Sequence, residues 1–249
     1  MIVVINPMAS NNSIVPSSPE KINPVKSGVA PWLAPFLYFF GYYFVMPLFF
    51  RELTIIGREN IPKTGSVILA PTHRSRWDAM VTPYAVGRIA TSRDPRYMVS
   101  IDEMQGLQGW FIGHMGGFPV DTKNPGSSVF RHCVEMLSQE EMLVIFPEGN
   151  IFRHQRVNPI KPGLARIALQ VENTHPKLET KIIPISIRYS QTCPKWRCAV
   201  QVCIGEAIAV ADYAQGSSKS AAQKLTSDLE EKLNLVDHQN APVWALKPE

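Results

Sequence analysis

Short apolar runs alternate with helical patterns from residue 66 onwards, and this alternation constrains the fold of the 249-residue chain more than any other feature. Because strands that alternate with helices form parallel sheets covered on both faces, the sequence predicts an α/β fold with a largely parallel mixed sheet flanked by helices. The apolar runs predict strands over 66–70, 97–101, 118–120, 142–146, 181–187 and 197–204. Helices are predicted over 79–90, 103–115, 125–139, 162–172 and 217–236.

The composition supports a folded core that needs no disulfides. Hydrophobic residues make up 45% of the chain, and Cys133, Cys193, Cys198 and Cys203 include no Cys-x-x-Cys pair. We interpret them as reduced, buried thiols of a cytosolic compartment, since no zinc pattern has their spacing. The net charge of +4 comes without a basic run, which argues against nucleic-acid binding. Residues 51–100 hold eight basic and four acidic side chains, a surplus that suits anionic lipid or a phosphorylated substrate.

An uncharged aromatic segment covers residues 29–50, after a Ser-, Pro- and Asn-rich stretch over 1–28 that we expect to be a disordered tail. Its 22 residues are long enough to span a bilayer, but three prolines and many tyrosines favour the headgroup interface. We expect an N-terminal apolar membrane-contacting segment, with a full span, interfacial insertion and a helix buried on the domain's own sheet as alternatives. An α/β domain over 51–237 and a C-terminal tail over 238–249 complete the expected organisation.

Polar clusters follow three of the predicted strands, at 73–78, 118–123 and 148–150. Ligands of open α/β sheets bind at the carboxyl ends of the strands, so we expect these clusters to meet. In the first cluster His73 precedes Asp78 by five residues, and a carboxylate there can hold one ring nitrogen in its N–H form while the other accepts a proton. Alone, such a pair is more typical of surface polar groups. The other two clusters favour the functional interpretation.

Four sequence blocks occur in a fixed order along the chain. They are His73-x4-Asp78 with Ser75 inside it, Gly117-Phe118-Pro119-Val120-Asp121, Phe146-Pro147-Glu148-Gly149 and Ile182-Ile183-Pro184-Ile185. In order and spacing, these blocks resemble those of the glycerolipid acyltransferases, and of the 1-acylglycerol-3-phosphate (lysophosphatidate) acyltransferases in particular. The first and third blocks are specific in combination, whereas the second and fourth are loose.

The resemblance implies an O-acyltransferase that moves a fatty acyl group from an acyl thioester to the free hydroxyl of 1-acylglycerol 3-phosphate, forming phosphatidate in phospholipid biosynthesis. It implies that His73 is the general base and that Asp78 orients it and stabilises the imidazolium. We expect no metal, and no cofactor beyond the acyl carrier protein or coenzyme A of the donor substrate. The expected substrate-binding residues are Phe146, Pro147, Glu148, Gly149, Lys123, Arg76 and Lys161.

The chain departs from the family pattern in three places. Thr72 occupies a position where Asn is common, Asn150 one where Thr is frequent, and Thr122 one where a basic residue is usual. The last departure makes Lys123 the substitute candidate for a phosphate contact. Ser75 lies inside the first block but without a G-x-S-x-G elbow, so a covalent acyl-enzyme is disfavoured.

The sequence leaves two alternative roles open for Glu148 and for the two arginines of the first block. Glu148 either helps to bind the glycerol phosphate acceptor or caps the next element as a turn carboxylate. Arg74 and Arg76 either contact the phosphate, since a dianionic head group needs cations, or stay solvated or lipid-facing.

Membrane attachment is expected to be part of the mechanism, because lysophospholipid acceptors reside in the bilayer. We expect a membrane-associated enzyme with its active site on the cytoplasmic side. Its expected partners are the membrane surface, the lipid acceptor and an acyl carrier protein or coenzyme A thioester, and Arg88, Arg93 and Arg96 are candidates for binding an acidic carrier or a nucleotide phosphate. The rival functions are acylation of glycerol 3-phosphate or another lysolipid, a membrane-bound thioester hydrolase, and a non-catalytic membrane scaffold.

Overall fold

The computed structural model describes residues 28–121, 126–154, 156–215 and 217–239. The strands are β1 Glu52–Ile56, β2 Val67–Pro71, β3 Pro95–Ser100, β4 Gly117–Val120, β5 Met142–Val144, β6 Lys181–Tyr189, β7 Ala199–Ile204 and β8 Ile208–Ala209. The α-helices are α1 Ala34–Phe40, α2 Met46–Phe49, α3 Asp78–Val86, α4 Arg88–Thr91, α5 Gly106–His114, α6 Ser127–Ser138, α7 Gly163–Thr174 and α8 Ser218–Gln239. A π-helical turn, Gly41–Val45, joins α1 to α2.

All eight strands belong to one sheet with the order β1-β7-β6-β2-β5-β3-β4, and β8 pairs with β6. β4, β3, β5, β2 and β6 run parallel to one another, whereas β7 and β8 are antiparallel to β6 and β1 is parallel to β7. The predicted α/β fold with a largely parallel mixed sheet flanked by helices is therefore confirmed. Because β6, β2 and β5 are neighbours with one direction, the residues that follow them emerge at the same edge of the sheet.

Several elements differ from the predicted ones. β1 and β8 were not predicted, since β1 is an edge strand of mixed polarity that pairs with β7 and β8 has two residues. β5 ends at Val144, two residues early, whereas β6 continues two residues past its predicted end to Tyr189. The helix predicted over 79–90 is divided at Gly87, where a Cβ would lie 2.6 Å from Cε1 of Tyr38. A Cβ there would also lie 2.4 Å from the carbonyl oxygen of Pro83, so glycine at this position suits both the end of α3 and the packing of Tyr38.

The core consists of two clusters of buried side chains, one on each face of the sheet. Ile68 and Leu69 are neighbours in β2 and fall into different clusters, because successive side chains of a strand point to opposite faces. The larger cluster packs α6, α7 and α8 against one face. The other face is covered by residues of α2 and α3, including Met46 and Val81.

The cysteines follow the sequence prediction in part. All four thiols are free, and Cys133, Cys198 and Cys203 are buried, but Cys193 is exposed, so the prediction of burial was wrong for it. Cys193 lies in the loop between β6 and β7, whereas Cys198 is the residue directly before β7 and Cys203 lies within that strand. Burial raises the pKa of the Cys133 thiol to about 12, which keeps it in the unreactive thiol form at neutral pH.

The N-terminal segment folds into three consecutive helical pieces of 7, 5 and 4 residues. Within the part of the chain that the structure describes, no helix is both long and apolar enough to cross a bilayer. The segment buries Met46 and Phe50, but the side chain of Phe36 is 65% exposed, and several other apolar side chains of the segment are exposed as well. The alternative of a helix buried on the domain's own sheet is therefore wrong for most of the segment. The outward-facing side chains are Trp32, Phe36, Phe39, Phe40, Tyr43, Phe44 and Leu48.

The predicted tails lie almost entirely outside the described residues. Of the tail expected over 1–28, the structure describes Gly28. Of the tail expected over 238–249, His238 and Gln239 still belong to α8, and the rest lies outside the described residues.

Candidate active site

The loop after β2 carries the first sequence block, and hydrogen bonds of Thr72 fix the start of this loop against β6. Thr72 N donates to the carbonyl of Ile185, continuing the β2–β6 ladder by one residue. Its Oγ1 then accepts a hydrogen bond from Ile187 N at 2.9 Å. Thr72 is fully buried. The threonine that replaces the common asparagine is therefore a link between two strands, and it delivers His73 to the carboxyl edge of the sheet.

Asp78 is the first residue of α3 and is fully buried. Its Oδ2 lies 2.8 Å from Nδ1 of His73, and since a carboxylate only accepts, this ring nitrogen carries the proton. The same oxygen accepts hydrogen bonds from Arg74 N at 2.6 Å and Ser75 N at 2.8 Å. Its Oδ1 accepts one from the hydroxyl of Tyr189 at 2.7 Å. The first turn of a helix also favours negative charge. These hydrogen bonds hold the carboxylate in a fixed orientation.

The imidazole of His73 is held on two sides and open on another. Its side chain is 20% exposed, and its ring stacks on that of Phe146 with centroids 4.0 Å apart. Within the described residues, Nε2 makes no hydrogen bond. A neutral ring with Nδ1 protonated and Nε2 accessible has the form that a general base requires.

Glu148 lies directly behind His73, in the turn after β5. It is 2% exposed, and both carboxylate oxygens are occupied by groups of the chain itself. Oε2 accepts a hydrogen bond from His73 N at 2.8 Å and one from Nη1 of Arg74 at 2.7 Å. Oε1 accepts hydrogen bonds from N and Nδ2 of Asn158 at 2.8 and 2.9 Å. Glu148 therefore links the loop after β2 to the loop after β5.

Arg74 is buried beside this carboxylate, with a side chain that is 5% exposed. Its Nη2 donates to the carbonyl of Arg156 at 2.9 Å, and its Nη1 contacts Glu148. The guanidinium thus lies inside the protein, away from both the solvent and the lipid-facing surface considered for it from the sequence.

The turn over 146–149 also brings Lys161 to the site. Lys161 N donates to the carbonyl of Pro147 at 2.8 Å, and its side chain lies over Gly149. A Cβ on Gly149 would come within 2.7 Å of Nζ, and the residue has a left-handed φ of +70°. Glycine is needed here for both the backbone conformation and the position of the lysine. Pro147 itself is buried.

Two predicted binding residues remain, Arg76 and Lys123, and the second sequence block ends at Asp121. The side chain of Arg76 is 77% exposed and forms an ion pair with Glu103 at 2.5 Å. Asp121 follows β4, which β5 and β3 separate from β2 in the sheet. Lys123 lies outside the described residues.

Arg88, Arg93 and Arg96 lie at the opposite edge of the sheet, near Pro95 at the amino end of β3. Arg88 pairs with Asp94, and Arg96 pairs with Glu141 at 3.1 Å. Arg93 donates to the carbonyl oxygens of Pro62, Gly65 and Glu140. The three arginines therefore lie away from the edge of the sheet that carries His73, and their candidacy for binding an acidic carrier or a nucleotide phosphate stays a prediction.

Sequence reasoning missed two residues that the structure brings to the site. Tyr189 lies two residues past the end of the predicted strand and was not considered. The end of β6 lies beside that of β2, so a tyrosine at the carboxyl end of a neighbouring strand is the signal that could have identified it. Asn158 follows Glu148 by ten residues in an irregular loop, and no local pattern indicates it.

Comparisons with known proteins identify the family of the chain. The sequence profile of the Acyltransferase family matches residues 52–188, more than half of the chain. The 1-acyl-sn-glycerol-3-phosphate acyltransferase of Bacillus subtilis is 24% identical over 194 residues, 74% of this chain and 88% of that protein. A protein of the same name from Streptococcus pneumoniae is 29% identical over 116 residues, 44% of this chain and 40% of the relative.

A solved structure shows the same fold. The crystal structure of the 1-acyl-sn-glycerophosphate (LPA) acyltransferase PlsC from Thermotoga maritima matches with a TM-score of 0.63 at 17% identity, covering 85% of this chain and 81% of that one. The region that matches the family profile runs from β1 to the end of β6 and contains all four sequence blocks. The chain belongs to the Acyltransferase family and is an enzyme of that family.

Proposed function

We propose that this enzyme transfers a fatty acyl group from an acyl thioester to the free hydroxyl of 1-acylglycerol 3-phosphate, forming phosphatidate. The observation that carries the proposal is the His73–Asp78 pair, in which a fully buried carboxylate holds Nδ1 while the ring remains partly exposed. An alcohol that attacks a thioester must lose its proton as the new bond forms, and this pair provides the base. The names of the two bacterial relatives support this choice of acceptor.

In the proposed step, Nε2 of His73 takes the proton of the acceptor hydroxyl while the oxygen attacks the thioester carbonyl. Asp78 stabilises the resulting imidazolium through the Nδ1 hydrogen bond. The tetrahedral intermediate then collapses, the C–S bond breaks, and the imidazolium returns its proton to the leaving thiolate. An acyl–oxygen bond replaces an acyl–sulfur bond, and His73 ends neutral. The step uses no metal, and acyl carrier protein or coenzyme A enters as the carrier of the donor substrate.

Lys161 and Arg76 are the cations that we assign to the acceptor phosphate. The ammonium of Lys161 lies over Gly149, in the turn that packs against His73. Arg76 is exposed on the loop between His73 and Asp78, and its ion pair with Glu103 is exposed enough to exchange for a phosphate at small cost. Lys123 remains a third candidate from the sequence.

The other residues of the third block act on the protein side of the site. Phe146 provides the ring on which His73 stacks. Glu148 fixes the backbone of His73 and the buried Arg74, so we assign it a positioning role instead of direct contact with the acceptor. Buried Pro147 and glycine at position 149 shape the turn that carries Lys161.

We further propose that the N-terminal segment seats the enzyme on the membrane, with the active site on the cytoplasmic side. An aromatic surface such as that of Trp32, Phe36 and Phe40 suits the headgroup interface, where lysophospholipid acceptors reside. Phe49 stacks on Trp77 with centroids 3.9 Å apart, so this segment also contacts the loop that carries the catalytic pair. Free thiols agree with a reducing compartment.

Acyl transfer assays with the purified protein test the function. Acyl carrier protein and coenzyme A thioesters are each offered with lysophosphatidate, with glycerol 3-phosphate and without acceptor. We expect transfer to lysophosphatidate, and His73→Ala to lower the rate by about 10²–10⁴-fold because the base is lost. His114→Ala is the matched control, since His114 is half-buried at the end of α5 and its Nδ1–H donates to the carbonyl of Trp110. Transfer to glycerol 3-phosphate alone, or thioester loss that needs no acceptor, would contradict the proposed acceptor or the transferase assignment respectively.

Vesicle sedimentation tests the membrane proposal. Phe36→Glu combined with Phe40→Glu places two charges among exposed aromatic side chains and is expected to release the protein from anionic phospholipid vesicles. Leu235→Glu is the control, because Leu235 is 48% exposed on α8, at a distance in sequence from this surface. Equal vesicle binding by both variants would contradict a membrane role for the segment.

A further inference from the structure

Asp78 presents its two oxygens to different partners. Oδ2 binds the His73 ring and two backbone amides of the same loop, all within five residues in sequence. Oδ1 accepts a hydrogen bond from Tyr189, which lies 111 residues farther along the chain. We propose that Tyr189 is a positioning residue for acyl transfer, whose hydroxyl fixes the rotation of the Asp78 carboxylate so that Oδ2 stays aligned with the His73 imidazole. This inference rests on the proposed function.

The hydroxyl of Tyr189 is well suited to remain a donor. Tyr189 is 3% exposed, and its oxygen lies 2.7 Å from Oδ1 of Asp78. Burial, followed by the negative charge of Asp78, raises the pKa of Tyr189 well above its usual value of 10. The phenol therefore keeps its proton throughout the pH range of catalysis, and the hydrogen bond to the carboxylate persists.

The ring of Tyr189 is itself held in place by the aromatic residues that end the N-terminal segment. Its ring stacks on that of Phe50 with centroids 6.1 Å apart at 29°, and Phe50 packs edge-on against Trp77, 5.4 Å away. Phe50 is 2% exposed. Residue 189 is also the last of β6, paired with Val200 of β7. A phenol fixed by the sheet and by the buried ring of Phe50 can hold a carboxylate more rigidly than a mobile side chain can.

The charged and titratable groups around this hydrogen bond come from two parts of the chain, the loop after β2 and the residue before β7. His73 and the backbone of Arg74 face Asp78 from the loop after β2. Cys198 faces Tyr189 from the residue before β7. The guanidinium of Arg74 points to Glu148 instead, so Tyr189 is the side chain that contacts Oδ1 from outside the loop.

The expected consequence follows from burial. Asp78 is fully buried, so Oδ1 cannot exchange the phenol for bulk water without cost when the hydroxyl is removed. The carboxylate then gains rotational freedom, and its bond to Nδ1 loosens when the imidazolium forms. Because Tyr189 acts through Asp78 and not on substrate, the loss falls on kcat while KM for both substrates stays nearly unchanged.

The test uses Tyr189→Phe in the full-length protein, which removes the hydroxyl and keeps the ring. We expect kcat to fall on the order of tenfold with little change in either KM. In an Asp78→Ala background, the same substitution is expected to have no further effect, because the group through which it acts is gone. Tyr213→Phe is the matched control: its hydroxyl also bonds to a carboxylate, that of Asp228 at 2.8 Å, but beside α8.

A second measurement does not depend on turnover. The proton resonance of His73 Nδ1–H, identified by its loss in His73→Ala, reports the hydrogen bond to Asp78. We expect this resonance to shift in Tyr189→Phe and to stay in place in Tyr213→Phe. An unchanged resonance, wild-type kcat, or an equal loss of kcat in the Asp78→Ala background would overturn the inference. If wild type transfers no acyl group, the proposed function fails, and the resonance still decides the role of Tyr189.

Discussion

Two buried arginine–carboxylate pairs join distant parts of this chain, and they have different consequences. The side chains of Arg74 and Glu148 are 5% and 0% exposed, and those of Arg188 and Asp237 are 9% and 2% exposed. In both pairs the carboxylate takes a further hydrogen bond from a neighbour, His73 N for Glu148 and the hydroxyl of Ser186 for Asp237. By burial and hydrogen bonding, the two pairs are alike.

Their surroundings differ. Glu148 holds the backbone of the residue that we propose as the catalytic base, whereas Asp237 is in α8 and ties that helix to β6. Burying an ion pair is itself weak support for a functional site, since such pairs occur wherever charges are fully hydrogen-bonded. The two pairs differ because Glu148 binds the backbone of His73, whose side chain is partly exposed and can reach a substrate, whereas Asp237 does not. The predictions below test that separation, in order of decreasing effect.

Glu148→Gln is expected to have the largest effect. It leaves the buried guanidinium of Arg74 without a counter-charge, so the free energy of unfolding falls by about 3 kcal/mol. The loop that carries His73 also loses its anchor, and kcat/KM per folded molecule falls on the order of 10²-fold. Denaturant unfolding and initial rates, normalised to the folded fraction, measure the two effects. Unchanged turnover in the folded fraction would show that this pair is only structural.

Asp237→Asn removes the corresponding charge from the other pair. Because Arg188 is then buried without its partner charge, we expect a similar loss of about 3 kcal/mol in unfolding free energy. Turnover per folded molecule should remain within about twofold of wild type, since Asp237 contacts α8 and β6 and not His73. The same pair of assays applies, and a fall in turnover as large as that of Glu148→Gln would remove the distinction between the two regions.

Gly149→Ala is expected to act on binding more than on stability. The left-handed φ of +70° costs about 1–2 kcal/mol for alanine, and the new Cβ displaces Lys161. We expect KM for the phosphate-bearing acceptor to rise several-fold with a smaller change in kcat. Gly65→Ala is the control, because its φ of +83° imposes similar strain and the nearest atom to a Cβ is 3.7 Å away. An equal KM in both variants would contradict the assignment of Lys161 to the phosphate.

Asp94→Asn is expected to have the smallest effect. Its partner Arg88 has a side chain that is 38% exposed, so the ion pair is screened by water. We expect a loss of about 0.5 kcal/mol in unfolding free energy and unchanged kinetics with acyl carrier protein as donor. A rise in KM for the acyl carrier protein thioester would instead support the predicted donor binding by Arg88 at the amino edge of the sheet.

Much of the fold could be predicted because its signal is local. Apolar runs identified six of the strands, and a histidine five residues before an aspartate, together with the polar clusters after two other strands, suggested the pair that the structure joins at 2.8 Å. β1 escaped prediction because an edge strand of mixed polarity has no run to detect. The location of Arg88, Arg93 and Arg96 could not be predicted, because a surplus of charge in a sequence window does not tell which edge of the sheet the charges occupy.

The sequence by itself determined the α/β architecture, the family and the positions of the candidate site, because strand order along the chain and short-range motifs carry that information. Only the tertiary structure decided what the site residues do. Glu148 lies 75 residues from His73 in sequence and binds its backbone, and Tyr189 lies 111 residues from Asp78 and binds its carboxylate. Parallel strands create such contacts by bringing the ends of β2, β5 and β6 to one edge of the sheet. The buried partners of His73 and Asp78 and the exposed face of the imidazole depend on this arrangement, so they cannot be predicted from the sequence alone.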